Sequence, residues 1–132
     1  MGVGLVSVPR FERTVERFGN RVLRRLFRPA ELDYAGKRRT GTESLAVRLA
    51  AKWAGRDALR GLGFDRVSPR ELEVARLPTG APTLEARGPI AARLEEEGLR
   101  FTVSLTHDRE LAMASVWLER APRHASASLS RR

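Results

Sequence analysis

The sequence predicts a single domain that contains both helices and strands. A chain of 132 residues is long enough to bury one hydrophobic core and too short for two ordinary domains. Its composition, 42% hydrophobic and 31% charged, is typical of a globular protein. One long stretch, residues 43–60, has the apolar spacing of a helix, and β-rich apolar runs precede and follow it along the chain.

The N-terminal quarter predicts one strand followed by three short helices. Residues 2–8, GVGLVSV, alternate small and branched apolar residues, which indicates a buried strand that ends at the proline that follows. Apolar residues then recur at helical spacing over residues 11–27, and Gly19 with Asn20 divides this stretch into two helices. A proline suits the first turn of the third helix, residues 29–34.

The long helix predicted over residues 43–60 has one stripe of large residues and one of alanines. Leu45, Leu49 and Trp53 recur every fourth residue, and an alanine follows each of them. Thr42 is placed to cap the helix, and glycines after it end it. The alanines predict a helix that packs closely against its neighbours.

The second half of the chain predicts strands separated by turns and one further helix. The predicted elements are a capped turn at 68–71, strands at 72–77 and 83–86 around a turn at 78–82, a helix at 90–97, and strands at 100–106 and 111–118 joined by a hairpin-like loop. Residues 1–119 are expected to form the domain. Residues 120–132, rich in Ala, Ser and Arg without periodicity, are expected to be a disordered basic tail.

A net charge of +9 predicts anionic partners. Nucleic acid is disfavoured because the basic residues are spread along the chain and the few aromatic residues form no stacking motif, so an acidic protein or a phosphate-rich cofactor is favoured. Without cysteine the chain forms no disulfide. It has no apolar run of the roughly 20 residues that cross a bilayer, and we expect a soluble cytoplasmic protein with no membrane partner.

Two groups of side chains are candidates for a functional site. Ser104 at the end of a strand, and His107 and Asp108 in the loop after it, are placed where they can meet a ligand. A lone histidine in such a loop is more often structural than functional. The other group is a row of arginines on the N-terminal helices, which would attract a negatively charged partner, although a charged helix face is usually only solvated.

The order of the short motifs carries more information than any one of them. The motifs are GVG, an Arg-Phe pair, PAELDY, ESLAVRLAAK, RELEV, TGAP and VSLTHDRELAMASV. In this order and spacing, over residues 2–118, the chain resembles the holo-acyl carrier protein synthase family, the small 4′-phosphopantetheinyl transferases.

This resemblance implies a fold, a reaction and a set of site residues. It implies an α+β domain of the phosphopantetheinyl transferase-like fold, with a small antiparallel sheet packed on the long helix, and a homotrimer with its active site between neighbouring subunits. It implies that phosphopantetheine moves from coenzyme A, whose diphosphate Mg²⁺ holds, to a serine of an acidic acyl carrier protein. By motif, the cofactor-binding residues are Arg48, Lys52, Gly80, Pro82 and Thr106, with Ser104 and His107 beside coenzyme A. The carrier-protein docking residues are Arg10, Arg13, Arg17 and Arg21.

The chain departs from the family's pattern where the metal chemistry is expected. The family's first strand contains a metal-binding aspartate, whereas here that strand is shorter by about two residues and no carboxylate precedes Glu12. The glutamate of the family's AAKEA helix motif is Trp53 in this chain, and the lysine four residues later is Asp57. An indole offers no oxygen to Mg²⁺, and a carboxylate repels phosphate.

Three hypotheses account for this departure. The first is a repurposed, metal-free enzyme with no cofactor, such as a cyclase acting on an acyl or polyketide chain held by a carrier protein. In this hypothesis Trp53 fills the former metal pocket, and His107 is the acid or base in a catalytic set that also contains Asp57, Ser104 and Asp108. The second is an active transferase that uses coenzyme A and Mg²⁺ at an unusual site recruiting Glu43 or Asp57. The third is a non-catalytic subunit that binds the carrier protein.

Overall fold

The computed structural model describes residues 1–37 and 41–121. Arg120 ends the last strand and the Ala121 backbone N–H donates to the Gly98 carbonyl oxygen, so the predicted tail does not begin at residue 120. Residues 122–132 lie outside the described part, and their disorder remains a prediction. Within the described ranges the chain has five helices and five strands in the predicted α+β arrangement. Their bounds are, in chain order, β1 Gly2–Ser7, α1 Val8–Phe18, α2 Asn20–Leu26, α3 Pro29–Gly36, α4 Gly41–Leu59, β2 Leu72–Arg76, β3 Pro82–Ala86, α5 Gly88–Glu96, β4 Leu99–His107 and β5 Leu111–Arg120.

Helix α1 begins earlier than predicted because the end of β1 caps it. The Ser7 hydroxyl accepts a hydrogen bond from the Arg10 backbone N–H at 3.3 Å, and Pro9 occupies the first turn, where its missing N–H costs nothing. Strand β1 therefore passes into α1 without a loop. The predicted break between the first two helices is confirmed at Gly19, whose φ of 61° lies in the left-handed region.

The predicted N-terminal caps of two helical segments can be compared with the structure. Helix α4 begins at Gly41, so Thr42 lies inside its first turn and the prediction that Thr42 caps it is wrong. Ser68 caps the short 3₁₀ turn Pro69–Glu71, as predicted. There the Glu71 carboxylate accepts a hydrogen bond from the Ser68 backbone N–H at 3.0 Å, which closes the capping box.

The strands form two antiparallel sheets where the sequence predicted one. The larger sheet has the order β1–β5–β4, and β2 pairs with β3 in a separate hairpin. In the larger sheet Gly4 and Leu105 both lie opposite Ala114. Side chains on β1 and β5 alternate between a buried and an exposed face, as the two-residue period of a strand requires.

The core lies between α4 and the larger sheet, and the GVG motif permits their close approach. A Cβ added at Gly2 would lie 1.9 Å from the Ala54 carbonyl oxygen, and one at Gly4 would lie 2.0 Å from the Ala50 carbonyl oxygen. Any side chain at either position would push the helix off the strand. The alanine stripe is fully buried, with Ala46, Ala50 and Ala54 each at 0% exposure.

No helix within residues 1–37 and 41–121 is long and apolar enough to cross a membrane. Helix α4, at 19 residues, buries two cations, Arg48 and Lys52, among its apolar side chains.

Candidate functional site

Trp53 is half-buried in the wall of a mainly apolar cavity between α4, β1 and the N-terminal helices. The cavity holds about 270 Å³ and is lined by Leu5, Val6, Ser7, Arg10, Phe11, Thr14, Leu26, Leu49 and Trp53. The Arg56 guanidinium stacks on the indole, with its carbon 4.2 Å from the ring centroid. Trp53 therefore packs against the core on one side and holds a cation on the other.

The residues around Trp53 do not fit a magnesium ion held by the protein. Among the described residues that line the cavity, the side-chain oxygens are the hydroxyls of Ser7 and Thr14, and the charged group is the Arg10 guanidinium. Mg²⁺ is usually held by carboxylate oxygens together with water and substrate phosphates. Nowhere in residues 1–37 and 41–121 do three acidic or histidine side chains come close enough to hold a metal ion.

The structure does not bring together the four predicted catalytic residues. Asp57 is exposed near the end of α4 and pairs with Arg60 at 3.4 Å. His107 contacts Glu43 at the other end of the same helix, fourteen residues before Asp57. At 1.5 Å per residue these two ends are roughly 21 Å apart. Within one chain, Asp57 therefore cannot act on the same reacting atom as His107.

Asp108 stabilises the turn between β4 and β5. Its Oδ1 accepts hydrogen bonds from the backbone N–H groups of Leu111 and Glu110, both at 2.8 Å. These bonds, that from Leu111 first, hold the pKa of the Asp108 carboxyl below its usual value. The geometry gives Asp108 a structural role instead of the predicted catalytic one.

Ser104, Thr106 and His107 are all near the end of β4, but His107 is on the opposite face of the sheet, toward α4. All three side chains are exposed, and Ser104 and Thr106 share the outward face of the sheet. His107 Nδ1 lies 2.5 Å from Glu43 Oε1. Glu43 entered the sequence hypotheses only as a metal ligand. The position of Glu43 at the start of the ESLAVRLAAK motif does not predict its contact with His107, which lies 64 residues later in the sequence.

Arg48 and Gly80, two of the predicted cofactor-binding residues, are connected through Tyr34 and Arg76. The Arg48 guanidinium lies over the Tyr34 ring at 4.4 Å and donates to the Val74 carbonyl oxygen at 2.5 Å. Arg76 donates to the Tyr34 hydroxyl at 3.1 Å and to the Gly80 carbonyl oxygen at 2.8 Å. Two guanidinium groups thus meet at one tyrosine beside the predicted nucleotide turn, although neither Tyr34 nor Arg76 was among the predicted site residues.

Lys52 is part of a buried polar cluster inside the protein. Its side chain is 0% exposed, and Nζ donates to Glu31 Oε1 at 2.6 Å, to the Leu26 carbonyl oxygen at 2.8 Å and to the Pro69 carbonyl oxygen at 3.0 Å. Burial lowers the pKa of Lys52, and the Glu31 carboxylate opposes that shift. All three ammonium hydrogens are used inside the protein, which leaves none for the predicted phosphate contact.

An open groove of about 750 Å³ runs between the facing edges of β3 and β4. Pro82, predicted to lie on the nucleotide side of its turn, lines one end of it. The groove is lined by both apolar and polar residues, which include Leu84, Arg87, Leu94, Arg100, Phe101 and Thr102.

The four predicted docking arginines, Arg10, Arg13, Arg17 and Arg21, are all exposed on α1 and α2. Phe18, 55% exposed, lies among them with the Arg17 guanidinium 5.4 Å from its ring centroid. Arg21 and Arg25 line a shallow cavity of about 260 Å³ beside Phe18. The surface is therefore cationic with an apolar centre, which is complementary to an acidic amphipathic helix.

Comparison with known proteins identifies close relatives, although no family model matches the chain. It is 39% identical over 120 residues to the holo-[acyl-carrier-protein] synthase of Solibacter usitatus, covering 89% of this chain and 95% of the relative. It is 42% identical over 125 residues to that of a Methylobacterium species, covering 90% and 92%. Among solved structures, the Chronobacterium ammoniagenes ACPS–CoA complex matches with a TM-score of 0.74 and 32% identity, covering 92% of this chain and 96% of that one.

These relatives confirm the predicted family and overturn the first hypothesis. The prediction of a metal-free cyclase acting on a polyketide is wrong, because relatives that match nearly the whole chain are holo-acyl carrier protein synthases. The expectation of no cofactor is also wrong, since the similar Chronobacterium structure is a coenzyme A complex. The departures at Trp53 and Asp57 are local changes in a chain that belongs to the holo-[acyl-carrier-protein] synthase family.

Proposed function

We propose that this protein transfers 4′-phosphopantetheine from coenzyme A to a serine of an acyl carrier protein. The observation that carries the proposal is the identity of 39% and 42% to holo-[acyl-carrier-protein] synthases over about nine-tenths of the chain. In the reaction the serine oxygen bonds to the phosphorus next to pantetheine, and the bond from that phosphorus to the second phosphate breaks. Adenosine 3′,5′-bisphosphate leaves, and the serine proton passes to solvent.

The donor site is proposed at the turn around Gly80 and the exposed end of β4. Arg76 is exposed and offers a guanidinium to phosphate oxygens beside this turn, and the buried Arg48, which contacts the same Tyr34 ring, adds positive charge. The groove next to Pro82 has the volume of a cofactor site. Ser104 and Thr106 are assigned to hydrogen bonds with coenzyme A.

We propose a homotrimer in which the outward face of the larger sheet is covered. Five large apolar side chains on β1 and β5 are 38–57% exposed, namely Val3, Leu5, Leu111, Met113 and Trp117. Soluble proteins rarely leave such a contiguous apolar surface in water. Ser104 and Thr106 lie on the same face of the sheet, on strand β4 next to β5. The trimer would therefore place a second subunit next to them.

The test of the proposed function is the modification of an acidic apo-acyl carrier protein. With coenzyme A and Mg²⁺ supplied, the carrier is expected to gain the mass of one phosphopantetheine group, measured on the intact protein. A carrier whose acceptor serine is replaced by alanine is expected to gain nothing. Tight carrier binding without any mass gain would support the non-catalytic hypothesis instead.

The arginine surface of α1 and α2 is expected to control recognition of the carrier protein. Reversing charge with Arg13→Glu and Arg21→Glu together should raise KM for the carrier on the order of tenfold, with the difference shrinking at high salt. Arg66→Glu makes the same type of charge change at an exposed position outside this surface and is the matched control. Equal KM values for the three proteins in low salt would rule out docking at α1 and α2.

A further inference from the structure

Glu43 and His107 form a side-chain pair between two elements that are far apart in the sequence. Glu43 is in the first turn of α4, and His107 is the last residue of β4. The distance from His107 Nδ1 to Glu43 Oε1 is 2.5 Å. The His107 side chain is 42% exposed and the Glu43 side chain 23% exposed. The pair is therefore accessible to a ligand and at the same time partly shielded from water.

The backbone of His107 is fixed independently of this pair. His107 lies opposite Ala112 in the β4–β5 ladder, and the turn that follows is held by the Asp108 carboxylate. With the backbone fixed, the orientation of the imidazole depends on its own rotamer, and the hydrogen bond to Glu43 selects one. Replacing Glu43 should thus change the ring without unfolding the strand that holds it.

The pair also determines which ring nitrogen is available. An ionised carboxylate only accepts hydrogen bonds, so a bond from His107 to Glu43 places a proton on Nδ1. Nε2 has no hydrogen-bond partner among residues 1–37 and 41–121. Nε2 is therefore the atom of His107 that remains for a ligand, either as a lone pair or as a second N–H group.

We propose that Glu43 is a positioning residue that fixes the tautomer and direction of His107 so that Nε2 contacts coenzyme A. The inference rests on the proposed function, which puts the end of β4 beside that cofactor. Glu43 itself touches no substrate and acts only through the imidazole. A ring that is already oriented loses less conformational freedom when coenzyme A binds, so removing Glu43 should weaken cofactor binding more than it slows the chemical step.

The tautomer can be measured directly by nitrogen NMR of the imidazole rings, recorded from pH 6 to 9. Where the His107 ring is neutral, the wild-type protein should carry the ring proton on Nδ1. The spectrum of a His107→Asn variant, which retains only the His124 signals, identifies which signals belong to His107. Glu43→Ala should abolish this preference, and Glu43→Gln should keep it because its amide oxygen still accepts. An unchanged tautomer in Glu43→Ala would overturn the proposal.

Kinetics then separate positioning from stability. Glu43→Ala should raise KM for coenzyme A on the order of tenfold, because that is the usual effect of losing one charge-assisted hydrogen bond. The change in kcat should be smaller. Glu43→Gln should recover most of the lost affinity. Glu97→Ala, which removes another surface carboxylate that pairs with a cation, is the matched control and should leave both constants unchanged.

A lower melting temperature with unchanged KM in Glu43→Ala would make the pair purely structural and contradict the proposal. If the wild type transfers and Glu43→Ala matches it, only this inference fails. If the wild type neither binds coenzyme A in calorimetry nor transfers, the proposed function fails and the inference with it.

Discussion

Replacing Glu31 by glutamine is expected to lower the free energy of unfolding by about 3–5 kcal/mol, because it leaves a buried cation without its counter-charge. Glu31 is 1% exposed. Its Oε1 accepts hydrogen bonds from Lys52 Nζ at 2.6 Å and from the Arg28 backbone N–H at 3.0 Å, and its Oε2 accepts from the Val74 backbone N–H at 3.1 Å. An amide has one oxygen, so its NH₂ group would face one of these donors.

Urea unfolding at neutral pH measures this loss. Glu95→Gln removes an exposed carboxylate on α5 and should change stability by less than about 0.5 kcal/mol. The double variant Glu31→Leu with Lys52→Met should be less destabilised than the sum of its two single variants, since each single variant leaves the other group unpaired. A Glu31→Gln protein within about 1 kcal/mol of the wild type would refute the assigned role of this cluster.

The substitution Leu5→Arg is expected to convert the proposed trimer into monomers and to lower transfer activity at least tenfold. Leu5 is 57% exposed in the single chain and lies opposite Met113 on the apolar sheet face. In a trimer it is buried, and an unpaired charge buried there costs several kcal/mol at each subunit contact. Transfer falls with assembly because the active site is proposed to lie between subunits.

Sedimentation equilibrium measures the assembly, with the wild type expected at three times the mass of the single chain. Ala92→Arg introduces the same charge on the exposed side of α5 and should leave both mass and activity unchanged. A wild-type protein that is monomeric and fully active would contradict the trimer and the shared site together.

Local patterns in the sequence predicted the fold well. The four-residue spacing of Leu45, Leu49 and Trp53 placed α4 within two residues of its bounds, since helix periodicity is a local property. The start of α1 was misplaced because it depends on the Ser7 side chain closing a cap. The separation of β2–β3 from the larger sheet depends on strand pairing, which no local pattern specifies.

The candidate site was predicted less well because its contacts join distant parts of the chain. Lys52 sits in a family motif, but its buried partner Glu31 lies 21 positions away and gives it a structural role. The contact between Glu43 and His107 has no sequence signal of its own. The expected departures in the first strand and at Trp53 and Asp57 suggested loss of the family's reaction, and that conclusion was wrong because similarity over nearly the whole chain outweighs a few positions.

Release of adenosine 3′,5′-bisphosphate from coenzyme A in the presence of apo-acyl carrier protein tests the central claim most directly. If the protein is a phosphopantetheinyl transferase, the amount of nucleotide released should equal, mole for mole, the phosphopantetheine gained by the carrier, and release should stop when the carrier is consumed. No release above the rate without protein, or release with no gain by the carrier, would contradict the claim.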